Sequence, residues 1–453
     1  MAVGLGDGNK KRTVVFGMAR SGIAAARLLL SKGREVVCAD EGGKISIPPD
    51  LSGAAMVSGK FSPGLLDGAA EVVISPGVPM EHPLMAEAAS RGIPVISELE
   101  LAFRHAAAPV IAVTGTNGKS TTVSMIGEIL KAAGKEAIVA GNVGVPFSGV
   151  AESLGPDGFF VIEVSSFQLE AVRQFHPASA GILNLTPDHL DRYRSLDDYY
   201  RLKERIVENC GGEDLYFYNA DDAGCVSVAA RFPGRLAPFS STREAAGGAW
   251  LDGDDLVRTD PGGARERIIG RREMGVVGIH NAENALAAVS SLQGLGIPAE
   301  ACRRALAAFR GLQHRMERVA VISGVTWYND SKATNVEAAV KSLSGLDAPV
   351  VLIAGGYDKG SDYTKFLEVL PGIKAVVTIG KAAPLIEKAL EGRVQLERAD
   401  SMMDAVVKSS RIAAPGDMVV LSPACASFDM FRNFEHRGEV FRECVLETGG
   451  MLG

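Results

Sequence analysis

Residues 110–122, VIAVTGTNGKSTT, confine the architecture of this chain more tightly than any other stretch. A β-branched apolar run enters a loop holding Gly115 and Gly118, then passes through Lys119 and Ser120 into a segment with Val123, Ile126, Ile129 and Leu130 at helical spacing. Strand, glycine loop and helix in direct succession is the unit from which parallel α/β sheets are assembled. It is also an anion cradle: backbone N–H groups at a helix N-terminus surround a phosphate, a lysine reaches the outer phosphates and a hydroxyl serves Mg²⁺. The usual G-x-x-x-x-G-K-[ST] spacing asks for glycine at 113, where Val113 stands, so an ordinary turn at TNG is the competing reading.

The strand-then-helix rhythm recurs on both sides. TVVFG, SGIAAARLLLSKG, EVVCAD, EVVISPG, HPLMAEAASRG and IPVIS precede a linker at 104–109, RHAAAP; AIVAGN, FFVIEVSS, AGILNLT and DLYFYNADD follow the phosphate-loop segment. Residues 239–278 read as short antiparallel strands joined by turns, before helices at NAENALAAVSSLQGLG and PAEACRRALAAFRG, with Gly311 closing the second domain. A hairpin at VAVISGVTWYND and strands PVVLIAGG, AVVTIG and DMVVLSPA make a third α/β series. Ligands of such sheets gather at the carboxyl ends of strands, where the polar clusters 329–335, 355–363 and 422–438 fall, so the expected catalytic cleft lies between domains.

With 453 residues, 47% hydrophobic and 22% charged, the chain can fill several cores. Its net charge of −7 argues against a protein devoted to nucleic acid, while leaving room for local basic sites that grip small anions. Six scattered cysteines (Cys38, Cys210, Cys225, Cys302, Cys425, Cys444) lack C-x-x-C spacing and suit a reducing cytoplasm. No uninterrupted apolar run of about 18 residues occurs, so the expectation is a soluble cytoplasmic protein without membrane insertion.

Four constellations carry chemistry. GMARSG (17–22) opens the first helix and Asp40 ends the next strand, as in half of a dinucleotide fold, although Ala19 replaces the second glycine and tight helix packing explains the small residues equally. Glu163 interrupts the apolar FFVIEVSS, and a buried carboxylate needs a cation, either Mg²⁺ beside the phosphate loop or a basic side chain. NLTPDHLDRY offers Asp188, His189 and Asp191 as polar ligands or as a helix start. In SLDDYYRLKERIVEN, Ser195 and Asp198 cap a helix on which Leu196, Tyr199, Tyr200, Ile206 and Val207 fall within roughly 60° of Lys203 at about 100° per residue, placing the lysine in the apolar stripe. Snorkelling is one outcome; burial favouring a neutral amine that adds CO₂, giving a carbamate able to bind metal, is the other.

Taken in order, GTNGKST, EVSSFQLE, NLTPDHLDRY, HNAENALAA, HRMERV, NDSKATN and LSPACASFDMFRNFEHRGEVF closely resemble the Mur ligases over nearly the whole chain. SPACAS through FRNFEHRG is most similar to the branch that adds D-glutamate; single pieces are shared with siblings, including folylpolyglutamate synthase. The resemblance implies an α/β fold of three domains: Rossmann-like over 1–107 for a UDP-substrate, P-loop ATPase-like over 108–311 for ATP, and Rossmann-like over 312–453 for the incoming amino acid. It implies ATP and Mg²⁺ as cofactors, UDP-N-acetylmuramoyl-L-alanine and D-glutamate as partners, and a monomer.

By the same resemblance, Gly115, Thr116, Asn117, Gly118, Lys119, Ser120 and Thr121 hold phosphates; Ser120 and Glu163 hold one Mg²⁺, and His189 with carbamylated Lys203 a second. Asn281, Asn284, Arg315 and Asp330 would contact ATP, with His314 at the reaction centre. Lys332, Thr334, Lys359, Ser427 and Phe434 would surround D-glutamate, and Arg20, Ser21, Asp40, Gly77 and Asn142 the UDP-sugar. The rivals are a sibling ligase with another acceptor pair, a nicotinamide-dependent dehydrogenase, which leaves the phosphate loop idle, and a non-catalytic nucleotide switch, which has no need of Lys203.

Overall fold

The computed structural model describes residues 12–42, 48–186, 195–344 and 346–452. The chain divides into two compact units, residues 1–269 with 283–305, and residues 270–282 with 306–453.

The first unit begins with β1 (Arg12–Phe16), α1 (Arg20–Ser31), β2 (Glu35–Asp40), β3 (Ala55–Ser58), β4 (Ala69–Ile74), α2 (Pro83–Ser90), β5 (Val95–Ser97) and α3 (Glu98–Phe103). Its sheet runs β3-β2-β1-β4-β5, all parallel, the order of a mononucleotide-binding half-fold. Gly22 explains the small residues after β1: a Cβ there would stand 2.0 Å from the carbonyl oxygen of Gly17, so α1 packs directly on the turn.

A second sheet continues the unit with β6 (Val110–Thr114), α4 (Lys119–Ala132), β7 (Ala137–Gly141), β8 (Phe159–Glu163), α5 (Ser166–Leu169), β9 (Ser179–Ile182), α6 (Leu196–Glu204), β10 (Leu215–Asn219), α7 (Ala223–Ala229), β11 (Arg235–Ser240), β12 (Ala249–Asp252), β13 (Asp255–Thr259) and β14 (Arg265–Gly270). The order is β14-β13-β12-β11-β10-β9-β6-β8-β7. The antiparallel expectation for 239–278 holds for β12 with β13, whereas β11 pairs in parallel with both β10 and β12. Helices α8 (Ile279–Ser290) and α9 (Ala299–Ala308) follow.

The two sheets of this unit share one apolar cluster, reaching from Val15 and Ala25 through Ala102 and Phe147 to Phe160, Ile182 and Tyr216. Helix α3 lies within it and buries two carboxylates. Glu100 accepts the backbone N–H groups of Arg173, Gln174 and Phe175 at 2.9 Å each, and Glu98 accepts Ser148 N–H at 2.6 Å and Ser148 Oγ–H at 2.5 Å. Burial pushes the Glu98 carboxyl up from its ordinary value, against those hydrogen bonds.

The second unit holds β15 (Glu317–Ile322), β16 (Val325–Asn329), α10 (Val336–Leu343), β17 (Val350–Gly355), β18 (Ile373–Ile379), α11 (Ala383–Leu390), β19 (Gln395–Ala399), α12 (Met402–Ile412), β20 (Met418–Leu421) and α13 (Phe434–Leu452). The sheet order is β15-β16-β20-β17-β18-β19, with the β15–β16 hairpin antiparallel and the remaining pairs parallel. Apolar clusters cover both of its faces, which is why β17, VVLIAG, is apolar without alternation. No helix among the described residues is long and apolar enough to cross a membrane.

Candidate active site

The loop after β6 is shaped by two glycines. Gly115 adopts φ +146° and Gly118 φ +86°, and a Cβ on Gly118 would stand 2.3 Å from Asn284 Oδ1. The loop therefore takes a left-handed bend against α8 that an L side chain resists. Lys119 Nζ donates to the carbonyls of Gly115 (2.8 Å) and Thr116 (2.9 Å), so the lysine curls over its own loop. Thr121, one residue past Ser120, sits half-buried in the first turn of α4.

The neighbouring strands bring their ends to the same place. Glu163 closes β8, is buried, and accepts Ser120 Oγ–H at 2.6 Å on one carboxylate oxygen and Asn142 Nδ2–H at 2.7 Å on the other. A hydroxyl and a carboxylate in contact at the first turn of α4 form an oxygen donor set of the kind Mg²⁺ takes. Among the described residues, the hydrogen bonds to Glu163 come from Ser120 and Asn142, neither of them basic. Asn142, assigned by resemblance to the UDP-sugar, is placed against this carboxylate.

Lys203 lies on α6, whose N-cap Ser195 accepts the Asp198 N–H at 3.1 Å. The lysine is 2% exposed, its Nζ donates to the Gly115 carbonyl at 2.9 Å and stands 4.6 Å from the centre of the Tyr199 ring. The amine end is thus inside, at the phosphate loop, and does not snorkel. Two lysines, 119 and 203, converge on one carbonyl. His189, with Asp188 and Asp191, lies outside the described residues.

The sequence reading passed over Asn184, which follows β9. Its Oδ1 accepts the N–H groups of Thr116 (3.1 Å) and Asn117 (2.8 Å), and its Nδ2 donates to the Asn117 carbonyl at 3.1 Å. One amide therefore splints the loop's bend. The signal was present in NLT, directly after an apolar strand, but an Asn there looks like any turn residue.

At the first sheet, Asp40 accepts the N–H groups of Met18 (2.6 Å) and Gly42 (2.7 Å), tying together the turns after β1 and β2. Arg20, at the start of α1, donates to the Gly144 carbonyl, and Ser21 follows it, half-buried. Gly77 is exposed in the turn after β4, with no atom within 4 Å of where a Cβ would stand.

In the second unit, the carboxyl ends of β16 and β20 carry the polar residues. Asp330 is buried, accepts Ser422 Oγ–H at 2.8 Å and Met316 N–H at 3.2 Å, and burial pushes its carboxyl up to about 6. Lys332 Nζ stands 3.8 Å from the centre of the Phe434 ring; burial, then the charge of Arg315, lowers its ammonium from the ordinary value. Thr334 is half-buried two residues on, Ser427 is buried, and Arg315 and Lys359 are exposed on loops. Asn281 Nδ2 donates to Val277 O at 2.7 Å and contacts His280 Nε2 at 3.2 Å.

Arg437, also missed, is buried without an ion pair among the described residues. It donates to Ser331 Oγ (2.9 Å), Ser331 O (2.8 Å), Cys425 O (3.0 Å) and Ala426 O (3.3 Å), and burial pulls its guanidinium down to about 10. The side chain rivets NDSKATN to SPACAS, the loops that hold Lys332, Thr334 and Ser427.

Asp330 supplies a stability prediction. A carboxyl with a raised folded-state pKa favours the native state while protonated and loses that advantage as pH rises through about 6. Asp330→Asn removes the titration, so the stability of wild type relative to the variant is expected to fall by roughly 2–3 kcal/mol between pH 4 and 8, read from urea unfolding at each pH. A pH-independent difference would show that Asp330 stays ionised.

Family models match in chain order: Mur ligase MurD-like, N-terminal domain, at residues 11–97; Mur ligase middle domain at 113–292; and Mur ligase, glutamate ligase domain, at 314–425. The UDP-N-acetylmuramoylalanine–D-glutamate ligase of Pelotomaculum thermopropionicum is 43% identical, covering 98% of this chain and 99% of its own. The chain belongs to the Mur ligase family. The ligase of the same name from Koribacter versatilis is 41% identical over 97% of this chain and 98% of its own. The solved UDP-N-acetylmuramate-alanine ligase MurC of Thermotoga maritima superposes with a TM-score of 0.59 at 19% identity, covering 97% and 99% of the two chains, so the Mur ligase fold persists where the sequences have diverged.

Proposed function

We infer that this chain is the Mur ligase that joins D-glutamate to UDP-N-acetylmuramoyl-L-alanine with consumption of ATP, in peptidoglycan precursor synthesis. The observation that carries this is near-full-length identity of 39–43% with ligases of that name. A sibling acceptor pair or a nucleotide switch is not favoured, because the relatives share one name across the domain that receives the amino acid.

A carboxylate is a poor electrophile. Transfer of the ATP γ-phosphoryl group to the L-alanine carboxylate gives an acyl phosphate, the D-glutamate amine attacks its carbonyl, and the tetrahedral adduct expels phosphate to leave the amide. The chain's task is to position and neutralise. The backbone of 115–120 with Lys119 grips the outer phosphates, Asn281, Asn284, Arg315 and Asp330 orient the nucleotide, and His314 sits at the reacting group. Lys332 and Lys359 give charge-assisted donors to the amino acid's carboxylates beside Thr334, Ser427 and Phe434. Arg20, Ser21, Asp40, Gly77 and Asn142 line the UDP-sugar site.

The contact of Ser120 with Glu163 suits one Mg²⁺, and by the family resemblance His189 with carbamylated Lys203 would hold a second. Bound there, the metals would neutralise phosphate charge during transfer. A carbamate keeps one N–H on Nζ, so the observed bond from Lys203 to Gly115 O survives carbamylation. We assign residues 1–107 to the UDP-substrate, 108–311 to ATP and 312–453 to D-glutamate, and place the protein in the cytoplasm as a monomer, where ATP and UDP-linked precursors are at hand.

The test is phosphate release from ATP in the presence of UDP-N-acetylmuramoyl-L-alanine and a panel of amino acids. D-glutamate is expected to be turned over, with L-glutamate, L-lysine and diaminopimelate poor. Equal turnover with L-lysine would overturn the assignment, and hydrolysis without amide would favour the switch.

A further inference from the structure

The ring of His314 is held by a neighbour that has no assigned role. Asn329, the last residue of β16, is fully buried, and its amide orientation is dictated by its surroundings. Oδ1 accepts the backbone N–H of Ser331 at 3.1 Å, and a backbone N–H can only donate. Nδ2 faces His314 Nδ1 at 3.0 Å, Glu317 Oε2 at 3.2 Å and the Gly438 carbonyl at 3.1 Å. Rotating the amide by half a turn would set oxygen against a carboxylate and a carbonyl, and NH₂ against an N–H. The amide has two N–H bonds for these three neighbours, and because Nδ2 never accepts, a proton on Nδ1 would oppose a donor; the geometry favours an accepting Nδ1, and a neutral imidazole that accepts at Nδ1 carries its proton on Nε2.

The rest of the surroundings allow the ring little freedom. His314 has φ +62°, a conformation a bulky residue adopts only when held. Its N–H donates to Glu317 Oε2 at 3.0 Å and its carbonyl accepts Lys332 N–H at 2.9 Å. A Cβ at position 438 would stand 2.1 Å from Nδ1, so Gly438 lets α13 close over this edge of the ring. Nε2 has no hydrogen bond to the chain among the described residues, while the ring is edge-on to Phe434 with centroids 6.1 Å apart.

We propose that Asn329 is a positioning residue that fixes the proton of His314 on Nε2, making His314 a hydrogen-bond donor to the reacting carboxyl phosphate and not the base that takes the amine's proton. A base must turn a lone pair toward the amine, and the one lone pair of this ring is committed to Asn329. A fixed N–H, by contrast, meets oxyanion charge without reorganising. The proposal rests on the reading that places His314 at the reaction centre.

The experiment is long-range ¹H–¹⁵N correlation on the full chain labelled with ¹⁵N-histidine, the His314 signals being those that vanish in His314→Gln. Wild type is expected to show a protonated Nε2 and a bare Nδ1; a proton on Nδ1 overturns the proposal without need of a variant. Asn329→Asp sets a carboxylate against Nδ1 and is expected to draw the proton there, lowering kcat on the order of 10²-fold with the KM for ATP unchanged. A proton that stays on Nε2 in the variant overturns Asn329's role. A proton that moves while kcat holds overturns the donor role of His314, and leaves the ligase assignment standing on its own amide-formation assay.

Discussion

Lys203→Ala is expected to lower turnover by about 10²–10³-fold in a chain that stays folded, and added formate or acetate to restore part of the rate. The expectation follows from where the side chain ends. Its amine is buried and meets the Gly115 carbonyl at 2.9 Å, at the base of the phosphate loop and not at the surface. Truncation leaves that carbonyl with Lys119 as donor, so the loop keeps a partner at this point. On the proposed carbamylation, what disappears is an anion-bearing arm, and a short carboxylate that diffuses into the space would replace its charge but not its tether, hence partial rescue. Turnover across a carboxylate titration, with circular dichroism for the fold, reads the effect. ¹³CO₂ should add a carbamate resonance to wild type that Lys203→Ala lacks. Near-normal turnover in a folded variant without added acid would return Lys203 to an ordinary buried amine.

Gly118→Ala is expected to weaken ATP binding at least tenfold and turnover by about 10²-fold. Two costs combine. The residue sits at φ +86°, which costs an L side chain about 1–2 kcal/mol, and the new Cβ would stand 2.3 Å from Asn284 Oδ1. Relief requires moving either the loop or the asparagine, both placed at ATP by the proposed function. Gly212→Ala is the control, since nothing lies within 4 Å of its added Cβ. Isothermal titration with a non-hydrolysable ATP analogue measures the binding arm; equal affinities for the two variants would mean that the loop has slack to spare.

Much of this is legible in the sequence, and the exceptions share a physical cause. Strands buried on both faces announce themselves as apolar runs, so β1, β6, β8 and β17 were found, as were the loops at their ends. β3, β11 and β19 were not: AMVS is largely exposed, RLAPFS is broken by Pro238, and QLERA is polar. Helix α3 was hidden by Glu98 and Glu100, because a carboxylate in a sequence says nothing about which N–H groups will receive it. The same holds for the site. Lys203 was legible since a cation on an apolar stripe is a local anomaly, and Glu163 since it interrupts a strand. Asn184, Asn329 and Arg437 act through partners 67, 15 and 106 positions away, and distance of that kind is invisible to local pattern.

The apolar cluster shared by the first two sheets has a consequence for how the molecule can come apart. Cutting between residues 107 and 108 would part Leu99, Leu101 and Ala102 from the members of their cluster that follow, Phe147 and Phe160 among them, and leave Glu98 without Ser148. The amino-terminal hundred residues are thus not a detachable module: expressed alone they would present a greasy flank and aggregate, and in the intact chain they should melt together with the nucleotide-binding sheet in one calorimetric transition. A lesion in that cluster, Leu101→Ala for instance, would be felt by the phosphate-loop site it never touches, and would surface in a cell as loss of protein before loss of chemistry.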